Sequence, residues 1–156
     1  METPVPAYSH TQKAPLCLLL YSTAIAMFVG VWLTYGKFPI DLMLGGVGVW
    51  FFFLAPAFHH LTVVDQGDRL AIRFGPLPLF RRTVRYSDIE KVEVGRTLIL
   101  DSWCIHYSVR GGWVWNVWGR DCVVVQFLNG KVLRIGTDDA TNLGLFLEGK
   151  IAQQGM

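Results

Sequence analysis

Hydrophobic positions along the chain fall into two regimes. From Ala14 through Gly36 they run continuously, with no side chain that ionises near neutral pH, and Lys13 and Lys37 bracket the run. A second continuous run extends from Leu42 to about Phe58, bounded by Asp41 and by His59-His60. A helix over the first run reaches about 34 Å, more than the roughly 30 Å hydrocarbon layer of a bilayer. The pattern therefore predicts a transmembrane helical hairpin over 14–60, with spans at about 14–36 and 39–60. The first run continues well past the small residues Ala24-Ile25-Ala26, longer than the apolar region of a cleavable signal. Only Lys37-Phe38-Pro39-Ile40-Asp41 separates the spans, so the turn is tight, and Pro39 suits the first turn of the second helix. Small residues at Ser22, Ala26, Gly30 and Thr34, and at Gly45, Gly46 and Gly48, are the candidates for close helix packing in lipid.

From Leu61 onward the pattern alternates, with turn residues between short segments. Strands are expected at 61–65, 70–74, 83–86, 89–94, 106–118, 122–128 and 132–135, with Asn129-Gly130 the clearest hairpin turn. Leu143, Phe146, Leu147 and Lys150 then take helical spacing. Thr137 or Asp138 suits the N-cap, and the carboxylates of Asp138 and Asp139 suit the positive helix end rather than a metal or catalytic pair. The fold class is α+β: a two-helix hairpin, then about seven antiparallel strands in a barrel or sandwich, then a C-terminal α-helix. Residues 1–13 read as an N-terminal tail and 61–156 as one cytoplasmic domain.

Charge sharpens this division. The chain is 52% hydrophobic and 17% charged, and only four charged residues (Glu2, Lys13, Lys37, Asp41) fall in 1–60. That asymmetry excludes an ordinary soluble domain and a disordered chain. A net charge of +2 gives no footprint for nucleic acid. Cys17, Cys104 and Cys122 form no CxxC pair, which fits a reduced compartment. Arg69, Arg73, Arg81, Arg82 and Arg85 follow the second span with no acid among them, so the positive-inside rule places both termini in the cytoplasm.

Five segments carry a family resemblance: Ile72-Arg73-Phe74-Gly75-Pro76-Leu77, Tyr86-Ser87-Asp88-Ile89, Asp101-Ser102-Trp103-Cys104-Ile105-His106, Gly112-Trp113 with Asn116-Val117-Trp118-Gly119, and Arg134-Ile135-Gly136-Thr137-Asp138-Asp139. Over about Leu61 to Ile151 the chain resembles bacterial membrane proteins with a PH-like (bPH) domain after a two-helix hairpin. Cys104 stands where that pattern has glycine. The resemblance implies a PH-like fold attached to the bacterial inner membrane, and it implies no particular activity.

The five arginines are the first candidate site, because guanidinium groups near an anionic leaflet bind phosphate oxygens. Trp113, Trp115 and Trp118 are the second; period two puts Trp113, Trp115 and Val117 on one face, for core packing or for capture of a partner or lipid. Cys104 and His106 form the one nucleophile-and-base pairing, without an oxyanion turn. No metal, cofactor or dinucleotide motif is present. The expectation is a non-enzymatic, membrane-anchored binding or scaffold module. It would be integral to the bilayer and engage anionic headgroups or a membrane-protein partner, as an accessory subunit of a membrane complex or as a homo-oligomer. The alternatives are a small membrane enzyme using Cys104 and His106, or a structural protein that packs against neighbouring spans.

Overall fold

The computed structural model describes residues 7–76 and 79–154. Two apolar helices form a hairpin, α1 (Leu16–Leu33) and α2 (Ile40–Leu54), the second continued by a 3-10 turn at Ala55–Phe58, and the base of the hairpin packs on the sheet core through Leu16, Leu20, Leu54 and Phe58. Both are long and apolar enough to cross a membrane, with mean hydropathy 2.1 over Leu16–Leu33 and 1.7 over Ile40–Phe58. Each is shorter than the apolar run that predicts it. Pro15 and Pro39 occupy the N-cap positions, so each helix begins just after a residue with no N–H to donate. Between the helices Asp41 accepts from the Thr34 hydroxyl (2.6 Å) and the Lys37 N–H (3.0 Å). This places a carboxylate at the positive end of α2.

The helices pack as an antiparallel pair through Ala24, Gly30 and Gly48. A methyl group on Gly48 would meet Phe28 Cε1 at 3.0 Å and Met27 Cβ at 3.2 Å, and one on Gly30 would meet Leu44 Cδ1 at 3.2 Å. Gly45 is looser, at 3.8 Å from Val31 Cγ2. Ser22 and Ala26 are exposed. At about 100° per residue, a stripe of four-residue steps turns about 40° each time, so it leaves the interface within three steps. The packed face instead follows Ala24, Met27, Val31 and Thr34.

Two sheets follow. Strands β1 (Ser9–Lys13), β2 (His60–Asp65), β3 (Arg69–Phe74) and β4 (Arg81–Arg85) form one antiparallel sheet in that order. Strands β5 (Ile89–Arg96), β6 (Cys104–Tyr107), β7 (Trp113–Asn116), β8 (Asp121–Phe127) and β9 (Val132–Gly136) form the other, ordered β5-β8-β9-β7-β6. Helix α3 (Ala140–Gln154) packs on β5 and β8. The sheets do not close into a barrel, and the described residues form nine strands, not about seven. The expected strand 106–118 is two strands joined by a turn, where Ser108 N–H donates to Gly112 O and Gly111 N–H to Ser108 O, both at 2.9 Å. The β7–β9 pairing is parallel, a departure from the all-antiparallel expectation.

The segment expected as a tail supplies β1. Its Ser-His-Thr-Gln-Lys sequence has no apolar alternation, yet Thr11 pairs with Thr62 and Lys13 with His60. The helical hairpin is thus inserted between two adjacent strands of one sheet. Asp138 and Asp139 hold β1 from the other side: His10 Nε2 lies 2.6 Å from Asp138 Oδ1, and the Tyr8 hydroxyl donates to Asp139 at 3.1 Å. Asp139 N–H donates to the Thr137 hydroxyl at 3.1 Å in the turn ahead of α3; because the helix begins at Ala140, Asp139 stands at its N-cap position and not the expected Thr137 or Asp138.

One core lies between the sheets and α3, built from Leu61, Leu70, Ile72, Phe74, Leu133, Ile135, Leu143 and Leu147. Burying such side chains contributes about 1.5–3 kcal/mol each. At its edge, buried Asp65 accepts from the Tyr86 hydroxyl and the Gly67 N–H (both 2.8 Å) and faces Lys150 Nζ at 3.4 Å. Burial pushes the Asp65 carboxyl up, but these hydrogen bonds and the ammonium outweigh it and hold it below the usual range.

Candidate functional site

Strand register divides the arginine set. Arg73 pairs directly with Arg81, and Arg69 with Arg85. Four residues separate Arg69 from Arg73, about 13 Å along the strand. The Arg73–Arg81 row is continuous with Thr62 and Thr11, beside the end where β1 leads into α1 and α2 leads into β2. Period two puts Lys13 and His60 one step nearer the helices on the same outward face. Lys13, Arg73 and Arg81 therefore form a cationic border at the helical end, and all three are exposed.

The two arginine pairs differ in their counter-charge. Asp68 binds Arg69 through two hydrogen bonds of 2.8 Å, and those bonds hold its carboxyl below the usual range, with further help from the charges of Arg69 and Arg85. Arg73 and Arg81 have no acidic partner among the described residues. Like charges directly opposite in a sheet are destabilising, so the helical end carries an uncompensated repulsion that the far end relieves. Beside it, burial first, then the charges of His59 and Lys13, push the His60 imidazole down.

The β3–β4 connection is held against the hairpin. Gly75 has φ 60°, and its N–H donates to His60 O at 2.8 Å. A side chain there would collide with Pro56 O and Ala57 O. Leu79 shares an apolar hollow with Trp50, Phe53 and Leu54 at the end of α2.

Arg82 points to the other face of β4. It is partly buried, with Cζ 5.9 Å from the centre of the Trp115 ring, and burial pushes its guanidinium down from its ordinary value. Trp115 is a core residue stacked edge-on to Phe74, whereas Trp113 is exposed against Tyr107 at 5.9 Å and Trp118 is exposed beyond the end of β7. Trp113 and Trp115 share a face of β7, but Trp113 sits at its exposed start and Trp115 in its buried middle, while Trp118 lies beyond the strand, so the three do not make one surface.

Cys104 has φ 67°, a left-handed conformation that favours glycine. Burial pushes its thiol up, away from the thiolate a nucleophile needs, and burial likewise raises Cys122 to about 11. His106 Nε2 lies 2.8 Å from buried Asp101 Oδ1, and the Ser108 hydroxyl donates to Asp101 Oδ2 at 2.6 Å. Serine and histidine both turn to the carboxylate and not to each other. Burial raises the Asp101 carboxyl, but the bonds from Ser108 and His106 hold it below the usual range. The trio clamps the turns flanking β6, and offers Cys104 no base among the described residues. No cluster of three or more metal-binding side chains occurs among the described residues.

Sequence reasoning missed Lys13 as part of the cationic border, although its place directly before the first span was visible. No family model matches the chain, and comparison with curated proteins finds no match.

Proposed function

We propose that this chain is a membrane-anchored, PH-like binding module whose first sheet sets its helical end, through Lys13, Arg73 and Arg81, against anionic lipid headgroups. In this reading α1 and α2 span the bacterial inner membrane, both termini are cytoplasmic, and the two-sheet domain rests at the inner leaflet as a platform for a membrane-protein partner. The Arg73–Arg81 pair carries the reading: two arginines are directly opposed in the register beside the helix exits without an acidic partner among the described residues, and phosphate oxygens of headgroups would relieve that repulsion. Each cation at an anionic surface contributes about 1 kcal/mol. The placement of positive charge at the root of both helices also supports the cytoplasmic orientation.

Because β1 precedes the hairpin, the test uses the full chain. In nanodiscs of phosphatidylcholine with phosphatidylglycerol, backbone amides of β3 and β4 are expected to exchange more slowly than in phosphatidylcholine alone. Arg73→Gln/Arg81→Gln should erase the difference. Equal exchange in the two lipids for the unaltered chain would refute the proposal.

A further inference from the structure

A second cationic site lies at the open corner between the sheets. The turns β6–β7 and β8–β9 emerge side by side, because β7 and β9 run parallel with Trp113 beside Leu133. Facing them is Arg82 from β4, the unpaired edge of the first sheet. Together they enclose a cleft of about 400 Å³ whose lining includes Arg82, Arg110, Lys131, Tyr107 and Trp113 and contains no acid. That volume suits a small ligand.

Polar groups in and beneath the cleft lack partners among the described residues. Arg82, Arg110 and Lys131 make no ion pair among the described residues. Arg82 is partly desolvated, a condition that costs free energy until an anion compensates it. Under Arg82, behind the cleft lining, the buried Trp115 Nε1–H has no acceptor among the described residues. The walls, by contrast, are well held. Arg134 donates to Gly111 O under the β6–β7 turn, Arg110 N–H donates to the Ser108 hydroxyl at 3.2 Å, and Lys131 N–H donates to Asn129 Oδ1 at 3.0 Å. Gly112 lets its backbone approach Val132 where any side chain would collide. Arg110 and Lys131 are therefore carried on braced turns and Arg82 on a strand, which lowers the ordering cost of binding.

We propose that this corner is a phosphate-binding site, in which Arg82, Arg110 and Lys131 hold the oxygens of a phosphomonoester or pyrophosphate group and Tyr107 and Trp113 flank the rest of the ligand. Guanidinium groups bind such oxygens in pairs, and the ammonium adds a point charge. The site is distinct from the border of Lys13, Arg73 and Arg81 and does not depend on it. The phosphate group can belong to a soluble compound or to a lipid headgroup with a terminal phosphate.

The full chain in phosphatidylcholine nanodiscs is titrated calorimetrically with inorganic pyrophosphate. In parallel, amide exchange over 107–113 is compared between nanodiscs containing phosphatidic acid and those containing phosphatidylglycerol. Pyrophosphate binding that weakens at least about tenfold in Arg110→Gln/Lys131→Gln, and is retained in Arg73→Gln/Arg81→Gln, supports the site with a soluble ligand. Protection over 107–113 in phosphatidic acid alone, lost in Arg110→Gln/Lys131→Gln, supports it with a lipid. Arg110 and Lys131 are both exposed, so this variant leaves the core untouched. The proposal is overturned if neither probe registers, or if the variant responds as the unaltered chain does.

Discussion

Reversing one charge in the Arg73–Arg81 pair separates a residue kept for stability from one kept for binding. The two side chains are directly opposed on an exposed face, with Cβ atoms about 4.5–5.5 Å apart. Arg81→Glu turns a repulsive cross-strand pair into an attractive one, and each such pair is worth about 0.2–1 kcal/mol. The first sheet should gain about 0.5–1.5 kcal/mol, a rise in Tm of about 2–12 °C for a module of about 100 residues. Binding should move the other way. A change of two charge units beside an anionic leaflet costs about 2 kcal/mol, or roughly thirtyfold in the docking equilibrium. Thermal unfolding of the full chain in neutral detergent reads the first effect, and amide exchange of β3 and β4 in phosphatidylglycerol nanodiscs reads the second. At about 1 M salt the Debye length falls to about 3 Å, so both effects should fade together. A variant that is no more stable, or one that docks as well as the unaltered chain, would refute the reasoning.

Other positions give sharp expectations. Cys104→Gly should be more stable than Cys104→Ala by about 1 kcal/mol in chemical denaturation, since φ 67° strains any residue with a Cβ. The Cys104 thiol in the folded chain should react with a maleimide probe more slowly than a free thiol at pH 7, because burial keeps it protonated. Asp65 is held below its unfolded value, so its contribution is present above about pH 4 and lost as pH falls through the folded value. Asp65→Asn should accordingly flatten the acid side of the stability curve and cost about 1–3 kcal/mol at pH 7. Gly136→Ala should destabilise the second sheet by more than 2 kcal/mol, as read by urea midpoint. A methyl group there collides with Asn116, whose side chain bonds Gly119 O (2.7 Å) and Trp118 N–H (3.0 Å).

The two apolar helices, the Asn129-Gly130 hairpin and α3 were legible in the sequence because each is signalled locally, by an unbroken apolar run, a turn dipeptide or a helical stripe. Strand β1 was not, since five polar residues become a strand only by pairing with β2, some fifty positions away. Period two told which side chains share a strand face, but not which rows meet. Only the register decided that Arg73 opposes Arg81 at the helical end while Arg69 sits with Asp68 at the far end. The tertiary structure likewise split three tryptophans among core and surface, and drew Arg82, Arg110 and Lys131 from three distant segments into one corner. Local chemistry writes the elements. Proximity between elements belongs to long-range pairing, which a single chain's pattern does not encode residue by residue.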